Sequence, residues 1–137
     1  MKELFREAEK ADARINHRVR TEACFLQDYD ALYRTLVAYL ASRPGLAVHG
    51  TVYMSMRYIH VQVNARRFMV VMWRSTVNQE VTVRVSAEES VTSGRMTLRH
   101  QGGAWRIRRT THHRLRCLLR TFRVSMVEDI MVSLLRG

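Results

Sequence analysis

Arginine and histidine are concentrated in one stretch near the C-terminus, residues 105–123. Seven arginines and two histidines fall within these nineteen residues, and no acidic residue occurs between Glu89 and Glu128. Guanidinium groups bind phosphate and carboxylate oxygens in a bidentate manner, and they also stack on flat rings. The pattern therefore predicts a cationic surface that engages a polyanion, with nucleic acid as the first candidate.

The arginines predicted to contact phosphate come from two strands and from the helix expected after them. Strand alternation puts some on the polar side of the sheet, and helical spacing puts others in a stripe opposite the leucines. Together they are Arg95, Arg99, Arg106, Arg108, Arg109, Arg116, Arg120 and Arg123. The alternative is a solvated face that is neutralised by acids folded back from elsewhere, such as Glu88, Glu89, Glu128 and Asp129.

Aromatic side chains on the polar sides of the strands form a second candidate site. Tyr53, Tyr58 and His60 are placed to share an open sheet face with the strand arginines. Aromatic rings interleaved with arginines on a sheet hold single-stranded nucleic acid by stacking its bases. Tyrosines are also ordinary strand formers, which is the competing interpretation.

Catalytic and metal-binding motifs are absent from the sequence. His112 and His113 are adjacent, so on a helix they point about 100° apart and do not chelate as residues four apart would. There is no CxxC, no phosphate-binding glycine loop and no nucleophile motif. We therefore predict no metal, no cofactor and a non-enzymatic role. A small metal-independent ribonuclease using His, Tyr and Arg is the less favoured alternative.

The whole chain is basic, with 23 Lys and Arg against 12 Asp and Glu in 137 residues and a formal net charge of +11. All but Lys2 and Lys10 of these basic residues are arginine, a preference that GC-rich coding would also produce. A strong positive charge favours polyanions in general. The second function class is therefore an adaptor or inhibitor that docks on an acidic protein surface, with homodimer formation as an accompanying option.

The distribution of apolar residues and cysteines predicts the cellular compartment of the protein. No apolar run approaches the roughly 18 residues that a membrane span needs, and residues 1–20 are charged throughout. Cys24 and Cys117 lie in apolar helical patterns, which predicts buried thiols in a reducing compartment. We expect an intracellular protein, cytoplasmic or nuclear, with no membrane partner.

Periodicity predicts a single α+β domain over residues 1–137. Residues 2–19 and about 21–42 are predicted to form two N-terminal helices, of which the second has the stronger apolar stripe. After Pro44 the period falls to two, which predicts an antiparallel meander of five to six strands. The strands expected are residues 46–54, 57–64, 67–74, 79–86, 95–100 and 105–110. Residues 68–73 are apolar on both faces, so this strand is predicted to be covered on both.

A C-terminal helix or helix pair is predicted over residues 111–136. Leu115, Leu118, Leu119 and Phe122 share one face, and residues 125–128 match a capping box that would start a second helix. The second N-terminal helix and these C-terminal helices are expected to cover the apolar face of the sheet.

Overall fold

The computed structural model describes residues 1–101, 103–111 and 120–136. The fold is α+β, and the six strands pair in chain order, each antiparallel to the next. The predicted meander is confirmed, and the strand ends differ from the prediction by at most two residues. The elements are α1 (Lys2–Ser42), β1 (Leu46–Tyr53), β2 (Met56–Val63), β3 (Arg66–Ser75), β4 (Glu80–Ala87), β5 (Ser93–Gln101), β6 (Ala104–Thr110) and α2 (Ser125–Leu135).

The N-terminal region is one 41-residue helix, so the predicted pair of helices is wrong. No glycine or proline occurs within α1, and nothing in its sequence stops the helix before Pro44. Thr21, at the predicted boundary, donates its hydroxyl to the carbonyl oxygen of His17 at 2.8 Å. This bond to the preceding turn is the one a threonine makes inside a helix, not at its start.

One face of the sheet forms the core together with the second half of α1 and with α2. Most of the strand residues that point to this side are apolar and buried or half-buried, as the alternation predicts. The core comprises chiefly Phe25, Tyr29, Leu32, Leu36 and Leu40 of α1, Ile59, Val70, Met72, Val83, Met96, Leu98 and Ile107 of the sheet, and Met126, Val127, Ile130 and Met131 of α2.

Helix α1 crosses this face from β6 to β1. Near the start of its buried half, the ring of Phe25 lies 6.2 Å from that of Trp105. Farther along, the side chain of Tyr33 lies over Gly50 and occupies the place that a Cβ would take.

Helix α2 packs on β4 and β5 on the same face of the sheet. Ile130 sits directly over Gly94. The predicted capping box does not form: the N-cap residue is Val124 and there is no side-chain cap. The carboxylate of Glu128 instead pairs with Arg43 at 2.8 Å, which joins the end of α1 to the start of α2.

The segment before α2 is not helical where it is described. Thr121 forms an isolated antiparallel bridge with Arg106. The carbonyl oxygen of Arg120 accepts a hydrogen bond from the amide of Ile107 at 2.8 Å, and the amide of Phe122 donates to Trp105 at 2.7 Å. The helix predicted to run from residue 111 to 123 is therefore wrong for residues 120–123, because this segment pairs with the edge of β6. Residues 112–119, which include Leu115, Leu118 and Leu119, lie outside the described residues.

The opposite face of the sheet, here called the open face, carries no helix in the described part of the chain. The prediction that β3 is covered by other elements on both faces is wrong for these residues. Met69 and Trp73 are half-buried there, and Val71 is buried between its cross-strand neighbours. Within the same ranges, no helix has the length and apolarity to cross a membrane.

Candidate functional site

The strand register brings polar and aromatic side chains into rows across the open face. One row runs from Tyr58 through Val71 and Arg84 to Arg95, across β2 to β5. The adjacent row contains Trp73, Thr82, Thr97 and Arg109, across β3 to β6. The alternation of residues in the sequence thus produces a surface where aromatic rings, hydroxyls and guanidinium groups are neighbours.

A recess of about 550 Å³ lies between these two rows, and we call it the tryptophan cleft. The guanidinium of Arg84 lies over the ring of Trp73, 5.8 Å from its centroid, in a cation–π contact. Threonine hydroxyls and two arginines complete the wall. The lining residues are Trp73, Thr82, Arg95, Thr97, Arg109, Thr110 and Thr111.

Arg84 and Arg95 are directly opposed on neighbouring strands, and both are exposed. Neither forms an ion pair with a carboxylate of residues 1–101, 103–111 or 120–136. Like charges that face each other across two strands destabilise a sheet. The pair therefore creates a local positive potential to which an anion would bind favourably.

Glu80 is the carboxylate that organises the arginines at the β6 end of the open face. Its side chain is only 10% exposed, and its oxygens lie 3.4 Å from Arg99, 3.9 Å from Arg108 and 3.3 Å from Arg109. A β-bulge in the pairing of β5 with β6 gives Arg108 no partner in the register and lets it share this carboxylate with Arg109. One buried negative charge thus holds three guanidinium groups in place and offsets part of their charge.

Three of the four acids expected to neutralise the cationic face pair with arginines elsewhere. Glu88 lies 3.9 Å from Arg67, Glu89 pairs with Arg66, and Glu128 pairs with Arg43. The carboxylate that contacts arginines of the open face in the described ranges is that of Glu80, which was not among the acids expected.

The predicted phosphate-contacting arginines fall into three groups. Those on β5 and β6 are brought together on the open face: Arg95 at the cleft, and Arg99, Arg106, Arg108 and Arg109 toward the edge strand. Arg120 and Arg123 are exposed but belong to the segment beside β6, so they form no helical stripe. Arg116 lies outside the described residues.

The predicted stacking residues lie on the open face but around its margin. Tyr58 is half-buried in the same row as Arg84, two strands away or about 10 Å at the usual strand spacing. His60 faces His49 on β1, with 6.1 Å between the ring centroids. Tyr53 ends β1 and is 66% exposed. The aromatic ring that does lie beside the arginines is Trp73, which sequence reasoning assigned to a doubly covered strand.

A signal for Trp73 was present in the sequence, in the strand that follows. Thr82, Arg84 and Ser86 alternate with valines, so their polar side must face either solvent or a polar partner. Trp73 belongs to the row that contains Thr82, and its indole therefore borders a polar surface. An aromatic ring in that position is half-exposed instead of being core.

Other reactive side chains are dispersed in the described ranges. No three His, Cys, Asp or Glu side chains come together there in a way that could hold a metal ion. Cys24 is exposed, which contradicts the predicted burial of its thiol. His112, His113 and Cys117 lie outside the described residues. His100 packs against Trp105 with centroids 4.8 Å apart and lies 3.2 Å from Asp28, on the core side of the sheet.

Comparison with known proteins identifies no relative. No family model matches the chain. No curated protein matches it, and neither does any solved structure. The fold and the tryptophan cleft are therefore the basis on which function is inferred.

Proposed function

We propose that the protein binds a polyanion without catalysing a reaction on it, and that this polyanion is single-stranded nucleic acid lying on the open face. The tryptophan cleft carries the proposal. Arg84 lies over the ring of Trp73 beside the cleft, and it opposes Arg95 with no carboxylate paired to either in the described ranges. Arginine-rich composition agrees with the proposal but would equally fit other polyanions.

Arg84 and Arg95 are suited to a phosphate group. A phosphate between them would relieve the repulsion of the opposed charges and would accept charge-assisted hydrogen bonds from both guanidinium groups. Arg109 lies on the cleft wall with its side chain 72% exposed, and its Nη2 lies 3.3 Å from Oε2 of Glu80. A second phosphate along the strand would meet this residue.

Trp73 is suited to a nucleobase. Stacking on an aromatic ring is tolerant of sequence because every base has a π face. The cleft volume of about 550 Å³ lies within the range of small-ligand sites and accommodates a base with its sugar. A base in a duplex is already stacked and paired, so a splayed base of a single strand fits this geometry better.

An acidic protein surface would use the same arginines in a different way. Carboxylates would pair with Arg84 and Arg95, but they would not stack on the ring of Trp73. The two classes are therefore separated by how strongly binding depends on Trp73.

The test is fluorescence anisotropy with a labelled single-stranded oligonucleotide over a salt series. Arg84→Gln together with Arg95→Gln should lower the slope of log affinity against log salt by about 0.7, since each phosphate neutralised on a single strand contributes about 0.7. Trp73→Leu should weaken binding by about 1–3 kcal/mol, the usual effect of removing one base-stacking ring. Duplex of the same sequence should bind more weakly than the single strand.

Arg66→Gln is the matched control, because it removes one positive charge from an exposed arginine of β3 that pairs with Glu89. Its affinity should stay close to that of the wild type. Equal binding of polyglutamate and oligonucleotide, with no effect of Trp73→Leu, would contradict the proposal and favour a docking partner. Cleavage of an RNA probe in the presence of chelator would instead point to a ribonuclease.

A further inference from the structure

The first 23 residues of α1, residues 2–24, form a helical arm that buries none of its side chains. The first buried residue of α1 is Phe25. At 1.5 Å per residue the arm is about 35 Å long. The side-chain hydrogen bonds described within it, from Lys10 to Glu7 and from Thr21 to His17, stay inside the helix. Most helices in proteins gain their stability from packing an apolar face, and none of the arm's side chains is buried against another described part of the chain.

An apolar stripe runs along the arm and is exposed to solvent. Leu4 is 65% exposed, Phe5 64%, Ile15 54% and Val19 59%. With Ala8 and Ala11, these residues recur every three or four positions, which puts them on one side of the helix. Single exposed apolar residues are ordinary, but a continuous stripe of them marks an interaction surface.

The charges of the arm are divided between its two halves. Residues 2–12 carry Glu3, Glu7, Glu9 and Asp12 against Lys2, Arg6 and Lys10, a formal charge of −1. Residues 13–24 carry Arg14, Arg18 and Arg20 against Glu22, a formal charge of +2. Two such arms side by side in parallel would place the halves of like net charge against each other. In the antiparallel orientation each acidic half faces a basic half. Charge complementarity of this kind selects partner and orientation.

The stripe also matches itself in that orientation. A twofold axis between Ala11 and Asp12 sets Leu4 beside Val19 and Ala8 beside Ile15 of the other copy. Large side chains then face medium or small ones, which lets two helices approach closely. We infer that the arm pairs with the arm of a second copy of this chain to form an antiparallel homodimer.

On the side away from the apolar stripe, the basic half of the arm faces the turn between β3 and β4. Residues 13–22 border a groove of about 920 Å³ together with the turn between β3 and β4. Val77 in that turn is 91% exposed. The interface is independent of the tryptophan cleft, which lies on the other side of the sheet.

Sedimentation equilibrium of the full chain, freed of nucleic acid by nuclease treatment, measures the association. We expect a mass twice the 16.1 kDa of one chain at micromolar concentrations. Reversing the acidic half with Glu3→Lys, Glu7→Lys and Glu9→Lys should raise the dimer dissociation constant at least about tenfold, because like charges then face each other. Adding Arg14→Glu, Arg18→Glu and Arg20→Glu to the same chain should restore the dimer.

A second pair of variants tests the stripe without changing net charge. Leu4→Ser with Ile15→Ser should also weaken the dimer at least about tenfold, since apolar burial drives most association. Asn16→Ser with His17→Ser, on the other side of the same helix, should leave the dimer unchanged. Circular dichroism of each variant checks that the helix content is preserved.

Orientation is tested by oxidising a Cys117→Ser chain, in which Cys24 is the remaining thiol. In the antiparallel dimer the two Cys24 residues lie about 37 Å apart along the helix axis, so no disulfide forms within it. A wild-type mass of 16.1 kDa at every concentration, an undiminished dimer after acid reversal, or rapid Cys24 cross-linking would each overturn the inference.

Discussion

Tyr29 is a phenol buried in the core where α1 meets the sheet. Its hydroxyl lies 2.8 Å from the carbonyl oxygen of Ser55 and 3.0 Å from that of Met72, and it donates to these two acceptors. Burial raises the pKa of Tyr29 to about 12, although the nearby guanidinium groups of Arg57 and Arg74 favour the phenolate. The protonated hydroxyl of Tyr29 thus stabilises the contact between α1 and the sheet.

The difference in stability between the wild type and Tyr29→Phe should depend on pH. Near pH 8 the wild type should be the more stable by about 1–3 kcal/mol, because the variant leaves buried carbonyl groups without their donor. The folded pKa of about 12 lies above the ordinary value of 10, so this advantage is complete below pH 10 and is lost as the pH rises toward 12. Urea unfolding of both proteins at a series of pH values measures the difference. A difference that stays constant above pH 10 would contradict the raised pKa.

Single residues show why the site could be predicted only in part. The polar side of each strand follows from alternation, so Arg95, Arg99 and Arg106 could be assigned to one face. Which residues sit opposite each other depends on the register, and this brought Trp73 and Arg84 together. The acid that pairs with three arginines, Glu80, precedes them in sequence by 19 to 29 positions, and no local pattern links them.

At the scale of elements, the contact between α2 and β5 depends on a glycine. A Cβ at Gly94 would lie 2.5 Å from Cγ2 of Ile130, closer than packed atoms approach. Helix α2 can therefore rest on β5 only because residue 94 has no side chain. This requirement is a property of packing between elements, and the glycine in the sequence did not reveal it.

Gly94→Ala should destabilise the protein by about 1–3 kcal/mol, the usual cost of overpacking a core contact. Urea unfolding compares this variant with Ser93→Ala, whose position is exposed and which should change little. In the background of Ile130→Ala the effect of Gly94→Ala should shrink, because the atoms that clash are gone. Equal effects in both backgrounds would show that the clash with Ile130 is not the cause.

The elements themselves were predicted with unequal success, and the reasons are physical. The strands follow from alternation between turns, and their bounds were nearly right. The helix break expected near Thr21 rested on a change of charge and of stripe strength, neither of which stops a helix. The helix expected up to Arg123 rested on leucine spacing that includes Phe122, but Phe122 enters the core from an extended segment that pairs with β6.

At the scale of the molecule, the two proposed surfaces lie on different sides of the sheet. The arm continues α1, which packs on the core face, whereas the tryptophan cleft is on the open face. Antiparallel pairing of two arms would thus leave both clefts accessible. A dimer with two accessible clefts binds a long single strand more tightly than a short one, because the second contact is intramolecular.

Contacts between the C-terminal end of α1 and α2 hold the core together and do not involve the arm. Arg43 pairs with Glu128 and lies 5.8 Å from the ring centroid of Tyr39. A hydrogen bond with the Glu128 carboxylate raises the pKa of Tyr39. These contacts tie the C-terminal end of α1 to α2, and the core residues of α1 begin at Phe25. Residues 25–136 therefore contain the contacts described in the core.

Deletion of residues 2–22 tests this division of the chain. Because no side chain before Phe25 is buried, the free energy of unfolding at low protein concentration should change by no more than about 0.5 kcal/mol, as for surface substitutions. The full chain should gain thermal stability as its concentration rises, since dimer formation favours the folded state by mass action, and the deletion should abolish that gain. Affinity for an oligonucleotide that fills one cleft should be retained, while the advantage of a longer strand should disappear. Scanning calorimetry and anisotropy measure these quantities on the same samples.

Two outcomes would contradict this division of the chain. A deleted chain that fails to fold at any concentration would show that the arm belongs to the core structure. A higher affinity for the longer strand that survives the deletion would show that strand binding does not depend on arm pairing.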